Sequence, residues 1–140
     1  MRIQIHLATL RVIPGMLAIL GLISPSLAEA PRSVFERYDN SGVLVFARDV
    51  ADSGPRRAAA NAEHMAYIDS IVDRILVAGP KYDAEGLRIV GSVYVLAVQD
   101  EDEARALVEA DPFHAAGVWA SVEYFPFLPA AGDWIQGVIW

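Results

Sequence analysis

The sequence predicts an α+β fold in which a four-stranded antiparallel sheet carries two helices on one face. Short apolar segments rich in β-branched residues alternate with segments of helical character, in the order β-α-β-β-α-β. Right-handed crossovers in this order place both helices on the same side of the sheet. A chain of 140 residues is long enough for one such domain and its core, and too short for two.

The first half of the predicted domain contains one strand and the longer helix. Residues 43–47 are apolar and partly β-branched, which is typical of a strand. The breaker residues 52–55 then begin a helix of about 20 residues. Its apolar residues recur at helical spacing at Met65, Ile68, Val72 and Ile75.

The second half supplies the other three strands and the second helix. Residues 76–78 form a short strand that ends at Gly79-Pro80, and residues 81–86 form a turn before a third strand at 87–98. Asp100 is placed to cap the second helix, with Glu103 three residues later as in a capping box. This helix extends to residue 110.

A one-turn helix precedes the last strand. Asp111-Pro112 is a helix start, because the carboxylate caps free N–H groups and proline suits the first helical position. Gly117 then ends the turn, and residues 118–127 form the final strand. Such a short helix places one carboxylate, that of Asp111, at a defined point.

The N-terminus has the parts of a secretory signal peptide over residues 1–28. A start that carries Arg2 is followed by an apolar segment, residues 12–23, and by small residues that suit cleavage after Ala28 or Ala30. The apolar segment is shorter than the about 20 residues of an ordinary membrane span. We therefore expect a periplasmic or secreted protein; the alternative is an uncleaved anchor or a cytosolic protein with a mis-assigned start.

Composition limits the partners of the mature chain. Cleavage removes Arg2 and Arg11 and no acidic residue, which leaves 9 basic and 18 acidic residues and changes the net charge from −7 to −9. Such a chain is not expected to bind nucleic acid or, after signal removal, a membrane. The chain has no cysteine, so disulfides, thiol catalysis and cysteine metal sites are excluded.

The sheet face without helices predicts a homodimer. The apolar runs 93–96 and 118–120 suggest that this second face is covered, and a second copy would cover it, with Tyr94 and Trp119 at the interface. Residues 29–42 are predicted to be an irregular N-terminal arm. The apolar C-terminal tail, residues 128–140, is either a flap on its own domain or an arm that reaches the partner.

The long helix carries a candidate pair of functional residues. His64 follows Arg57 by seven residues, about two helical turns, so both lie on one stripe of the helix. A guanidinium can orient an anion, and an imidazole can exchange a proton near neutral pH. Composition alone favours the alternative of a surface histidine beside an arginine paired with Glu63 or Asp52.

Several motifs in one order resemble a known family. They are Arg56-Arg57 and Glu63-His64-Met65-Ala66-Tyr67 on the first helix, Ala78-Gly79-Pro80, Gly91-Ser92, the acidic helix start at 100–104, and Asp111-Pro112 followed by Ala116-Gly117. From residue 43 to 127 this set resembles the YciI-like (YCII-related) domain. The resemblance implies a dimeric ferredoxin-like α+β barrel and a family that includes suspected small-molecule lyases or isomerases. It also implies His64 and Asp111 as the catalytic residues.

Asp111 has a structural alternative, and Asp83, Tyr67, Ser92 and His114 are weaker candidates. Asp111 could act only as a helix cap, a role worth about 1 kcal/mol. Asp83 could reach the rim of a cavity or serve its own turn. Tyr67 and Ser92 could offer hydroxyls to a ligand or simply pack. His114 is expected at the surface, and the histidines lack metal-ligand spacing.

The leading functional hypothesis is an exported lyase or isomerase that needs no cofactor or metal. His64 would act as general acid and base, Asp111 as its partner and Arg57 as an anchor for a substrate carboxylate. The alternatives are a module that binds a small molecule without turnover and a domain that is only a dimerising scaffold. The need for His64 in turnover separates the enzyme from the binding module.

Overall fold

The computed structural model describes residues 31–37, 39, 41–132 and 136–138. Helices and strands follow one another as α1 (Val34–Arg37), β1 (Gly42–Asp49), α2 (Gly54–Ser70), a 3-10 turn (Val72–Arg74), β2 (Ile75–Tyr82), β3 (Ile89–Leu96), α3 (Glu101–Glu109), α4 (Pro112–Ala115), β4 (Trp119–Phe127), β5 (Ala131–Gly132) and β6 (Gly137–Val138). The predicted α+β class is confirmed. The predicted signal peptide, residues 1–28, lies outside the described residues.

The main sheet has the strand order β2-β3-β1-β4, and all its neighbours are antiparallel. β1 is central, so Val45 lies opposite Tyr94 on one side and Tyr124 on the other. Paired residues point to the same face of a sheet. Tyr94 therefore lies on the same face as Val45.

The core lies on one face of the sheet, beneath the helices. Along β1, Val43, Val45 and Ala47 are fully buried, whereas Phe46 between them is 37% exposed. This alternation is the period-2 pattern of a strand with one covered face. The core is completed by residues of β3, the helices and the start of β4: Ala60, Tyr94, Leu96, Val98, Ala104, Val108, Phe113, Val118 and Trp119.

The other face of the sheet is partly exposed, and it carries aromatic rings beside Arg48, Ser121 and Glu123. Phe46 and Phe125 contact each other edge to face, with ring centroids 6.3 Å apart, and Phe125 is 46% exposed. The prediction that Tyr94 and Trp119 lie at this face is wrong, since both are buried in the core under the helices. The prediction assigned these residues to the wrong set of alternating positions. In a strand, a shift of one residue moves a side chain to the opposite face.

The long helix is shorter than its apolar spacing predicts. It ends at Ser70, Val72 belongs to the 3-10 turn and is 63% exposed, and Ile75 begins β2. The β-branched pair Ile71-Val72 is restricted at χ1 and disfavours a continued helix. The residues of α2 that turn inward are Arg57, Ala60, His64, Tyr67 and Ile68, so the inner face of this helix carries polar groups.

The second strand is longer than predicted, and the third is shorter. Gly79 and Pro80 do not end β2, which continues to Tyr82, while β3 covers only Ile89–Leu96. Proline is tolerated within β2 because that strand forms the edge of the sheet. This extension places Pro80 opposite Ser92, on the face that the helices cover.

The predicted arm and tail both contain regular structure. The arm, predicted to be irregular, includes α1, where Ser33 and Glu36 form a reciprocal cap: each backbone N–H donates to the other side chain. In the tail, Ala131 pairs with Val138 and Gly132 with Gly137 in a small hairpin. Within the described residues, no helix is long and apolar enough to span a membrane.

Candidate active site

A cavity of about 390 Å³ opens between α2, α4 and the β2–β3 side of the sheet. Most of its lining is apolar, and the polar groups come from α2 and β3. The residues that line it are Arg57, Ala58, Asn61, His64, Met65, Ile68, Ala78, Gly79, Pro80, Ile89, Ser92, Tyr94 and Phe113. This volume and this mixture of surfaces are typical of a small-molecule site.

His64 and Asp111 meet at the wall of this cavity. Nδ1 of His64 lies 2.8 Å from Oδ1 and 2.9 Å from Oδ2 of Asp111. The His64 side chain is 13% exposed and that of Asp111 is 2% exposed. An ionised carboxylate only accepts hydrogen bonds, so Nδ1–H donates to it and the neutral imidazole presents Nε2 as a proton acceptor.

Asp111 is fixed by two further donors. The backbone N–H of Phe113 donates to Oδ1 at 2.8 Å, which is the predicted helix cap. The hydroxyl of Tyr94 donates to Oδ2 at 3.2 Å. Burial, and then the negative charge of Asp111, raise the pKa of Tyr94 far above its ordinary value, so the phenol stays protonated and continues to donate.

The turn that carries Asp111 is stabilised from α2. Gly117 ends α4 with a φ of +62°, a conformation that glycine adopts without strain. The guanidinium of Arg56 donates to the Gly117 carbonyl at 2.8 Å, and a Cβ at this glycine would lie 2.8 Å from that nitrogen. Gly117 therefore serves the turn and the contact that ties it to α2.

Phe113 contacts both basic residues of the site. Its ring stacks on the imidazole of His64, with centroids 3.7 Å apart and planes inclined by 12°. The guanidinium carbon of Arg57 lies 4.9 Å from the centroid of the same ring. Because Phe113 is itself buried, it restricts the orientation of the imidazole.

Arg57 forms a buried ion pair with Asp49. Its Nε donates to Oδ2 of Asp49 at 2.7 Å, and its Nη2 donates to Oδ1 at 2.8 Å. Nη2 also donates to the hydroxyl of Ser92 at 3.0 Å. The Ser53 hydroxyl donates to Asp49 at 2.6 Å, and the exposed fractions of the Arg57 and Asp49 side chains are 11% and 3%.

Three candidates from the sequence lie apart from this cluster. Tyr67 is not among the cavity-lining residues and donates its hydroxyl to the Leu107 carbonyl at 2.6 Å; burial, and then the charge of Asp111, raise its pKa. Asp83 accepts from the backbone N–H groups of Leu87 and Arg88, so its observed contacts are those of a turn. His114 is exposed, as predicted.

Sequence reasoning brings together His64, Asp111, Arg57 and Ser92 but misses Asp49, Tyr94 and Phe113. Strand alternation could have found Tyr94, since it follows Ser92 by two positions and so lies on the same face. No local signal marks Asp49 or Phe113. In the part of the chain that the structure describes, no group of three or more His, Asp or Glu residues could hold a metal ion.

Comparison with protein families and curated proteins identifies related sequences. The YCII-related domain family matches residues 35–128. Two proteins called YciI, one from Escherichia coli O6:H1 and one from Shigella flexneri, are each 32% identical to this chain over 91 residues. The match covers 60% of this chain and 93% of each relative.

A solved structure has a similar fold and a ligand. It is 5-chloro-2-hydroxyhydroquinone dehydrochlorinase (TftG) from Burkholderia phenoliruptrix AC1100, in complex with 2,5-dihydroxybenzoquinone. Its sequence is 27% identical, and the TM-score is 0.57 over 65% of this chain and 95% of the neighbour. This likeness agrees with the ferredoxin-like α+β arrangement of the strands and helices described above.

Proposed function

Because this chain belongs to the YCII-related domain family, we propose that it is a small-molecule lyase or isomerase that works by proton transfer at His64. The observation that carries the proposal is the position of His64 Nδ1 within 2.9 Å of both Asp111 oxygens, at the wall of the cavity. This contact orients an imidazole for proton exchange. The proposal requires neither a cofactor nor a metal.

In this mechanism His64 is the group that touches the substrate. Nε2 takes a proton from the bound molecule, and the carboxylate of Asp111 stabilises the imidazolium that forms. Tyr94 and the Phe113 backbone N–H hold Asp111, and the Phe113 ring holds the imidazole plane. The proton then returns to another atom of the substrate or leaves with the departing group, which completes an isomerisation or an elimination.

The volume and the apolar lining of the cavity support a ring-shaped substrate. Apolar side chains such as Met65, Ile68 and Pro80 offer surface to a ring, while His64 and Ser92 offer polar contacts. The similar structure, TftG, is named for the dehydrochlorination of a hydroxylated ring and is bound to a dihydroxybenzoquinone. We therefore propose hydroxylated rings as the first compounds to test.

The test is turnover by the full-length protein and by its His64→Asn variant. Wild type is incubated with 5-chloro-2-hydroxyhydroquinone for chloride release and with a panel of lactones for isomerisation. The proposal expects turnover by wild type and its loss in His64→Asn. If His64→Asn keeps full turnover, the proposed mechanism is wrong; if wild type binds these compounds without turnover, the binding-module alternative replaces it.

We further propose that the protein is a homodimer joined through the outer face of the sheet. Phe46 and Phe125 are the large exposed residues of that face, and exposed aromatic rings on an uncovered sheet face favour association. Light scattering at micromolar concentration is expected to give a dimer for wild type and a monomer for Phe46→Asp. A wild-type monomer would contradict this proposal.

Export to the periplasm or the medium also remains a proposal, supported by the N-terminal sequence pattern. Intact-mass measurement on protein from the periplasm or the medium should give a mature chain that begins at Glu29 or Pro31. Recovery of the full-length chain from the cytosol alone would contradict it.

A further inference from the structure

The Arg57–Asp49 ion pair affects which substrate charge the cavity can accept. Arg57 lines the cavity, yet both oxygens of Asp49 receive its donors in a bidentate pair. The Asp49 side chain is almost completely buried and also accepts from Ser53, so its position is fixed from two sides. Among the described residues, Nη1 of Arg57 has no hydrogen-bond partner and stays able to donate to a neutral oxygen.

We propose, on the basis of the function proposed above, that Asp49 sets the substrate class by neutralising Arg57. The site then takes an uncharged hydroxylated ring and disfavours a ring that carries a carboxylate. In this account Asp49 is a specificity-determining residue that acts through Arg57. The role of Arg57 predicted from the sequence, an anchor for a substrate carboxylate, is replaced by that of a donor to a neutral oxygen.

The charges around the cavity explain why it would bind a neutral hydroxylated ring in preference to a ring with a carboxylate. Among the side chains that line the cavity itself, Arg57 is the fixed cation and Asp49 balances it, while Asp111 adds one negative charge behind His64. The cations Arg48, Lys81 and Arg88 line the neighbouring cleft instead. An incoming carboxylate would lose its hydration and, while the imidazole is neutral, meet no unpaired cation in the lining of the cavity. A hydroxyl group instead meets the free Nε2 of His64, to which it can donate a hydrogen bond.

The hydrogen bond from a ring hydroxyl to Nε2 of His64 also leads to the first chemical step, which is proton transfer. The O–H bond of the ring breaks, its proton forms an N–H bond at Nε2, and the electron pair stays on the ring oxygen. The anion thus appears only after proton transfer, when the imidazolium is its counter-charge. A substrate that arrives as a neutral acid therefore gains an ion pair in the site, whereas a carboxylate gains none from this step.

The first arm of the test uses wild type and two probes of similar size, hydroquinone under anaerobic conditions and benzoate. Isothermal titration calorimetry is expected to give about tenfold or more tighter binding of hydroquinone, the effect of one uncompensated charge. Tighter binding of benzoate would overturn this inference and leave the proton-transfer proposal intact. Binding of neither probe would overturn this inference alone, because the proton-transfer proposal is tested separately by turnover of the chlorinated ring and the lactones.

The second arm of the test asks whether substituting Asp49 shifts binding from hydroquinone towards benzoate. Asp49→Asn keeps the shape of the side chain and leaves the charge of Arg57 unbalanced, so benzoate binding is expected to tighten by about tenfold. The matched control is Glu101→Gln, which removes the partner of Arg105 on the exposed surface of α3 and should change neither affinity. Unchanged benzoate affinity in folded Asp49→Asn would overturn the role of Asp49.

A charge-balanced variant keeps the test decisive if Asp49→Asn does not fold. The double variant Asp49→Asn with Arg57→Gln removes both charges together, which avoids an unpaired buried ion. It is expected to retain the wild-type preference for hydroquinone over benzoate. A preference for benzoate in the double variant would show that the Arg57–Asp49 pair does not determine which substrate charge is accepted, and would overturn the inference.

Discussion

Two buried pairs of a basic side chain and a carboxylate lie on the same face of α2, and they differ in one chemical property. His64 pairs with Asp111 from the α4 turn, and Arg57 pairs with Asp49 at the end of β1. An imidazole can lose and gain a proton near neutral pH, whereas a guanidinium cannot. Similar burial and similar hydrogen bonding therefore support proton exchange at one position and a fixed charge at the other.

The comparison predicts the largest functional effect at His64. His64→Asn should lower turnover by about 10²–10⁴-fold, the usual contribution of general acid–base catalysis. Steady-state kinetics on a substrate found in the chloride-release or lactone assay is the measurement. His114→Asn is the matched control, because His114 is exposed on α4, and it should retain wild-type rates. Equal losses in both variants would contradict the assignment.

The largest effect on stability is expected at the other pair. Arg57→Ala leaves the buried carboxylate of Asp49 without its main partner and should lower the free energy of unfolding by about 3 kcal/mol. Removing Arg88, which is 80% exposed and pairs with Asp83 at the surface, should cost less than about 1 kcal/mol. Urea denaturation of Arg57→Ala and Arg88→Ala measures the difference, and equal costs would contradict the account.

A smaller effect on the free energy of unfolding is expected from Tyr94 at alkaline pH. Because its pKa in the folded protein is raised above the ordinary value of 10.0, its contribution to stability is present below pH 10 and is lost as the pH rises further. Wild type should therefore lose stability above pH 10 more steeply than Tyr94→Phe. At neutral pH the variant should be less stable by about 1 kcal/mol, the value of one hydrogen bond. Parallel pH profiles would contradict this.

The fold was largely predictable because its signals are local. The strands at β1 and β4, the Asp100 cap of α3 and the Asp111 cap of α4 each depend on neighbouring residues, and each is found in the structure. The return bond of the predicted capping box is displaced by one residue, because Glu103 accepts from the backbone N–H of Gln99. The sequence pattern is misleading where packing between distant segments determines which residues are buried. The apolar spacing through Met65 and Val72 indicates a longer buried helix face, but both residues are exposed.

The site was predictable only in part, because some of its contacts join segments that are distant in sequence and meet only in the folded chain. Helical spacing and family resemblance bring together His64, Arg57 and Asp111. The partner of Arg57 is found only when β1 and α2 are packed, because Asp52 and Glu63 are nearer in sequence and Asp49 is the one that the fold buries beside it. The stack of Phe113 on His64 likewise depends on the packing of α4 against α2.

The Asp111→Asn variant separates the role of Asp111 as a helix cap from its role in proton transfer at His64. Asparagine caps a helix about as well as aspartate, so the free energy of unfolding should stay within about 1 kcal/mol of wild type. It cannot supply the negative charge that holds the imidazolium, so turnover measured on the same preparation should fall by about 100-fold or more. Full turnover in a stable Asp111→Asn protein would show that Asp111 only caps its helix, and would contradict the account.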